Sequence, residues 1–190
     1  MSLFRSSVMR FATAAAPRTT AVVAARAFSS SAQRFVKVGD EVPNMEVLCE
    51  NSPGNKVNLA EEFEDANGIV IGVPAAFSGA CSSSHIPSFM SHPKLKNIDK
   101  VFVVSVNDAF VMKAWHDQMD PIKETKIRFL GDPSGAFTRA LDLDFDGKAI
   151  FGNDRSKRYA LVIENGKVAK AFVEPDNIGT TVSMANNVLG

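Results

Sequence analysis

The chain has 190 residues, 45% hydrophobic and 22% charged, a globular composition too apolar for a disordered chain and too poor in charge for a coiled coil. Its two cysteines exclude a disulfide scaffold, and no CxxC or Cys/His cluster has the spacing of a zinc site. The formal charge of zero hides a division: residues 1–36 hold five arginines and no acid, leaving 16 bases against 21 acids, about −5, in the remainder.

Segment 1–36, rich in Ala, Ser, Thr and Arg, has the composition of an organellar transit peptide, a basic-faced helix drawn by a negative-inside membrane potential. Arg10, Pro17, Arg18 and Arg26 leave no apolar run approaching the ~18 residues of a membrane span, and they interrupt a secretory signal in the same way. Arg26-Ala27-Phe28-Ser29-Ser30-Ser31 has the form of a mitochondrial processing site. The mature chain is therefore expected to start between Ser29 and Val36, in the mitochondrial matrix, with one folded domain over 37–190.

Beyond Val38 strand and helix patterns alternate. Met45–Cys49 reads as a short strand closed by the turn Ser52-Pro53-Gly54-Asn55. Gly68-Ile69-Val70-Ile71-Gly72-Val73 is wholly apolar, as a strand buried on both faces must be, and Val101–Val106 repeats the pattern. Between them Cys81–Met90 predicts a helix kinked by Pro87. Asn107 or Asp108 caps a helix whose apolar face is expected to be Phe110, Val111, Ala114, Trp115 and Met119. Ile127–Leu130 reads as a strand and Ala136–Leu141 as a short helix. Arg158–Glu164 and Lys167–Val173 flank Asn165-Gly166, a strong hairpin signal, and a helix over about Thr180–Leu189 ends the chain. The order βαβαβαββα implies an α/β domain with a mixed central sheet and helices on both faces.

The chemistry concentrates after the first long strand. A small-residue loop follows Val73 and a helix opens near Cys81; in open α/β sheets ligands bind at the carboxyl ends of strands. A cysteine in a first helical turn feels the positive end of the dipole and unpaired N–H groups, both of which favour thiolate. The competing reading, a small apolar residue in the core, is opposed by the polar neighbours Ser78, Ser82, Ser83 and Ser84.

Pro74-Ala75-Ala76-Phe77-Ser78-Gly79-Ala80-Cys81-Ser82-Ser83-Ser84-His85-Ile86-Pro87 resembles the peroxidatic motif Pro-x-x-x-Thr/Ser-x-x-Cys of the peroxiredoxins, in particular the type-II (atypical two-cysteine) branch. The likeness continues through Pro53–Leu59, Ser105–Phe110, Ile150–Asn153, Lys157-Arg158-Tyr159, Glu164–Val168 and Val173–Pro175, nearly the whole of Val38 to Gly190. The resemblance implies a thioredoxin-like fold with peroxiredoxin additions and a thiol-dependent peroxidase for hydrogen peroxide and alkyl hydroperoxides. It implies no metal, flavin or haem, and places the catalytic residues at Pro74, Ser78, Cys81 and Arg158. In those roles the Cys81 thiolate attacks a peroxide oxygen and becomes a sulfenic acid. Arg158 and the N–H groups of the helix start stabilise the departing oxygen, Ser78 orients the peroxide, and Pro74 shields the sulfur. Serine replaces the family's more frequent threonine at position 78, keeping the hydroxyl on a less restrained χ1.

Many type-II members carry a second cysteine in the loop before the last helix, where this chain has Val182. Cys49 is the candidate resolving residue, within the subunit or across a dimer; otherwise glutathione, glutaredoxin or thioredoxin attacks the sulfenic acid directly, which is the expected route. His85, one helical turn beyond Cys81, is a candidate for tuning it or for holding the helix. The resemblance also favours a homodimer paired near the site, with Phe77 in reach of it. A different class remains beside the peroxidase: a redox sensor or relay that passes Cys81 oxidation to a partner. Asp142–Gly147 imitates a calcium loop, but Leu143 and Phe145 interrupt it and Asn153 stands where glutamate closes such a loop, so no metal is expected. The acidic domain has no basic stripe for nucleic acid.

Overall fold

Residues 36–190 are described by the computed structural model; the expected transit peptide, and the processing site within it, fall on 1–35 and lie outside the described residues. A hydrophobic segment buried on both sides can satisfy its backbone only by pairing on both edges, and the runs 68–73 and 100–105 do so at the centre of a seven-stranded sheet. Its strands are β1 (Leu48–Glu50), β2 (Lys56–Val57), β3 (Gly68–Val73), β4 (Lys100–Ser105), β5 (Ile127–Gly131), β8 (Tyr159–Glu164) and β9 (Lys167–Val173), ordered β2-β1-β5-β4-β3-β8-β9. The β3–β4 and β4–β5 pairs are parallel; β8 joins β3, and β1 joins β5, antiparallel. The sheet is mixed, as the element order implies.

Alternation along the strands divides the core in two. Val70, Phe102, Val104 and Leu130 point to one face, where α1 (Leu59–Glu62) and α4 (Ala136–Ala140) contribute Leu59 and Phe137. Ile69, Ile71, Val73, Val103 and Phe129 point to the other, under α2 (Ile86–Met90), α3 (Ala109–Met119) and α6 (Ala185–Leu189). Each buried Val, Ile or Phe contributes about 1.5–3 kcal/mol of transfer free energy. A small second sheet pairs β6 (Asp144–Phe145) with β7 (Arg155–Ser156), and α5 (Lys148–Phe151) lies between them in sequence.

Three expectations are corrected. The helix at Cys81 is not an α-helix kinked at Pro87: helical residues run 79–90, but Cys81–His85 is a π-helical turn, and Pro87 lies in the first turn of the α-helical part. A proline ring collides with the carbonyl four residues back, and the wider π turn, in which Ile86 N–H reaches Cys81 O, removes that collision. In α3 the Asp108 cap, accepting from Phe110 N and Val111 N, sets a phase that buries Ala109, Met112 and Trp115 and leaves Phe110 64% exposed and Ala114 at the surface. The last helix begins at Ala185 rather than near Thr180, because the N–H groups of residues 181–183 are taken by the Glu174 carboxylate.

Candidate active site

Cys81 sits in the first turn after the loop that leaves β3: residues 79 and 80 are helical, and Ser82 N–H donates to Ser78 O at 3.0 Å. Ser78 thus stands at the helix entrance, where a serine ordinarily caps a backbone N–H. Here its hydroxyl lies 2.8 Å from Cys81 Sγ. Pro74 directly follows Val73 and is buried, as is Ala75. Phe77 takes a left-handed backbone (φ 60°) and is 47% exposed, a conformation that a bulky residue adopts only when its surroundings enforce it. Part of that enforcement is Asn107, whose side-chain oxygen accepts from Ala76 N at 3.1 Å and from Ser105 Oγ at 2.7 Å.

Cys81 has no exposed surface and belongs to the core on the α2–α3–α6 face. Its serine neighbours therefore do not keep it out of the core. Ser83 is exposed and Ser82 and Ser84 are half-buried; Ser82 accepts from Trp115 Nε1 at 3.0 Å and Ser84 donates to Ala80 O. What distinguishes the sulfur from an inert core thiol is Arg158. This arginine lies in the bend between β7 and β8, 2% exposed, with Nη1 3.4 Å from Cys81 Sγ and Nε donating to Ile178 O at 3.1 Å. Among the described residues no carboxylate forms an ion pair with it. Burying a guanidinium without a counter-charge is costly, so the pocket is built to receive negative charge at or beside the sulfur.

His85 closes the cluster. Its Nδ1 lies 3.2 Å from Arg158 Nη1 and its Nε2 3.0 Å from Ser183 O. A guanidinium has only hydrogens to give and a carbonyl only lone pairs, so the ring is neutral with its proton on Nε2. Burial, reinforced by the Arg158 charge, pushes its pKa down to about 4. His85 does not reach the sulfur in any hydrogen bond; it reaches the arginine that does.

Cys49 is equally buried, on β1, where Lys56 Nζ donates to its Sγ at 3.1 Å. The row Cys49–Gly131–Ser105–Val73 runs across the carboxyl edge of the sheet, three ladder steps or about 14 Å. Cys81 lies on the far side of that row, against the arginine that leads into β8. A disulfide needs Cα atoms within roughly 7 Å, so the structure does not bring Cys49 to Cys81. Phe89 and Trp115 are fully buried and so belong to the core.

The sequence reading missed Glu174. It is 1% exposed, accepts from the N–H groups of Thr181, Val182 and Ser183 at 2.8–2.9 Å, and takes both hydroxyls of Thr181 and Ser183. Burial works to raise its pKa, but these hydrogen bonds outweigh it and hold the carboxyl down at about 2. The only signal was its place in the matching stretch Val173-Glu174-Pro175.

The chain is similar to known proteins over nearly all of its described residues. Residues 37–189 match the Redoxin family. The chain is 40% identical over 158 residues to peroxisomal membrane associated protein 20 of Schizosaccharomyces pombe, covering 82% of this chain and 98% of that protein. It is 36% identical over 135 residues to the mitochondrial peroxiredoxin-2F of Arabidopsis thaliana, covering 70% and 66%. Among solved structures, reduced Prx3 of Vibrio vulnificus in complex with H2O2 superposes with a TM-score of 0.73 at 34% identity, over 82% of this chain and 98% of that one.

Proposed function

Because the chain belongs to the redoxin family as a peroxiredoxin, a thiol-dependent peroxidase of thioredoxin-like fold, we propose that Cys81 is its peroxidatic cysteine and that Pro74, Ser78 and Arg158 complete the site. The observation that carries this reading is the buried Arg158 guanidinium, free of any carboxylate ion pair among the described residues, directed at Cys81 Sγ.

The sulfur, as thiolate, attacks one oxygen of the peroxide along the O–O axis. An S–O bond forms, the O–O bond breaks, and the electron pair leaves on the second oxygen, which takes up a proton as water or alcohol. Negative charge moves from sulfur to that oxygen during the step. Arg158 Nη1 is 3.4 Å from the sulfur and N–H groups at a helix start carry partial positive charge, so both are suited to stabilise the charge that develops on the leaving oxygen. The Ser78 hydroxyl, which donates to the resting sulfur, can turn to accept from the peroxide proton.

The sulfenic acid is then reduced by a cellular thiol. Its sulfur forms a disulfide with the incoming thiol, releasing water, and a second thiol exchanges with that disulfide to return Cys81. Glutathione with glutaredoxin, or thioredoxin, is the donor under this proposal. Support for recycling without Cys49 comes from its distance across the sheet and from Val182 at the position where many type-II relatives have cysteine. We assign residues 1–36 to mitochondrial import on composition and arginine placement; one similar protein is named as peroxisomal and another as mitochondrial, so import of a fusion to residues 1–36 is the direct test. Among the described residues no helix is long and apolar enough to cross a membrane. Exposed Phe77 and Phe110, on segments tied together by Asn107, support a homodimer paired beside the site.

A peroxide-consumption assay with glutathione–glutaredoxin or thioredoxin tests activity and recycling together. Cys81→Ser is expected to abolish turnover while Cys49→Ser leaves it at the wild-type rate. Peroxide consumption by the Cys81 variant would remove the mechanism, and turnover with neither donor would favour a sensor or relay.

A further inference from the structure

We propose that Glu174 is a positioning residue for the peroxidase site, acting on Arg158 through Ser183 and His85; this rests on the reading of Cys81 and Arg158 above. The connection is continuous. The Glu174 carboxylate collects five hydrogen bonds from residues 181–183, including Ser183 N at 2.9 Å and Ser183 Oγ at 2.7 Å. That grip fixes the Ser183 carbonyl, which receives His85 Nε2–H at 3.0 Å. With its proton committed to Ser183, the ring must present the bare lone pair of Nδ1, and Arg158 Nη1 meets it at 3.2 Å. The same Nη1 is 3.4 Å from Cys81 Sγ.

The backbone holds the other side of the arginine. Glu174 N–H donates to Arg158 O at 3.0 Å, and Arg158 N–H donates to Asn177 O at 2.7 Å. Together with the bond from Nε to Ile178 O, the segment 174–183 surrounds Arg158 from its main chain to its guanidinium. A long side chain carries considerable rotamer entropy, and this guanidinium has, among the described residues, no carboxylate ion pair to fix its orientation. Here a neutral histidine and a carbonyl do so, and neither cancels the charge that the reaction needs. A carboxylate placed directly on Arg158 would orient it equally well but would neutralise its field at the sulfur. Setting the anion behind two intermediaries, Ser183 and His85, keeps the guanidinium in place without that loss.

Charge matters at the far end because an anionic acceptor makes hydrogen bonds roughly twice as strong as a neutral one. Glu174→Gln preserves shape and one acceptor oxygen but removes that strength, so loosened 181–183 donors should release the His85 tautomer. Stopped-flow measurement of Cys81 oxidation by hydrogen peroxide, on the full chain, is expected to show a loss of about tenfold in Glu174→Gln. His85→Leu, which breaks the middle link, should show a similar loss and stands in if Glu174→Gln does not fold. In the Arg158→Ala background neither substitution should slow oxidation further, because no guanidinium remains to be positioned. Nitrogen-15 NMR of the histidine rings should find His85 protonated on Nε2 in the wild type and a mixture of tautomers in Glu174→Gln, a change that simple destabilisation does not produce.

Wild-type rates in Glu174→Gln, losses that multiply with that of Arg158→Ala, or an Nδ1–H tautomer in the wild type would each overturn the inference. These outcomes differ from failure of the site itself: if Arg158→Ala alone oxidises at the wild-type rate, it is the role of Arg158 that falls.

Discussion

Arg158 is 2% exposed, with sulfur, an imidazole lone pair and a carbonyl as side-chain partners. Neither the imidazole nor the carbonyl cancels its charge, and under the proposed mechanism a buried cation so placed stabilises negative charge that passes from the sulfur to a peroxide oxygen where water cannot compete. Arg158→Ala is therefore expected to slow Cys81 oxidation by roughly 100-fold or more, read as the second-order rate constant with hydrogen peroxide. His85 supplies a second prediction. Its folded pKa, about 4, lies below the ordinary 6.5, so between those values the unfolded chain binds a proton that the folded chain refuses. The contribution is complete above pH 6.5 and is lost as pH falls toward 4, up to about 3 kcal/mol. Urea midpoints should fall over that window in the wild type, and that part of the fall should be absent from His85→Leu. Glu174, held near 2, adds its own loss only below about pH 4.5.

At the scale of elements, the close approach of β3 and β8 sets the geometry that Arg158 depends on, since it directly precedes Tyr159. Gly72 pairs with Tyr159, and a Cβ on Gly72 would stand 2.0 Å from Tyr159 Cε1. Tyr159 is fully buried and has no room to yield. Gly72→Ala should lower the urea midpoint by the equivalent of about 1–3 kcal/mol; an unchanged midpoint would mean that the two strands separate freely. Apolarity made β3 legible in sequence, yet nothing local marked Gly72 as the place where a tyrosine ring crosses. The β8–β9 turn is the opposite case: Asn165 and Gly166 both have positive φ, 52° and 70°, as their residue types announce. The π turn at Cys81–His85 escaped prediction because Pro87 signals an irregularity without saying where the chain absorbs it.

For the whole molecule, the sheet brings Cys81, Arg158 and the 174–183 segment to one end, although about 77 residues of chain separate the cysteine from the arginine. The proposed homodimer belongs to this scale. Sedimentation should show the wild type as a dimer, with Phe77→Ser and Phe110→Ser shifting it toward monomer; a monomer at micromolar concentration in the wild type would leave those exposed rings without that role. Cys49 also belongs here, because only the strand order places it away from Cys81, beside Lys56.

Strand runs, the hairpin, the cysteine at a helix entrance and the motif from Pro74 to Pro87 follow from residue order alone, since each rests on contacts between near neighbours or on a pattern of types. The burial of Cys81, the neutral state of His85, the absence among the described residues of a carboxylate ion pair at Arg158 and the grip of Glu174 do not. They depend on groups between 7 and about 100 positions apart meeting in a space from which water is shut out, and the strength of an electrostatic contact depends on that exclusion as well as on the charge of its partners.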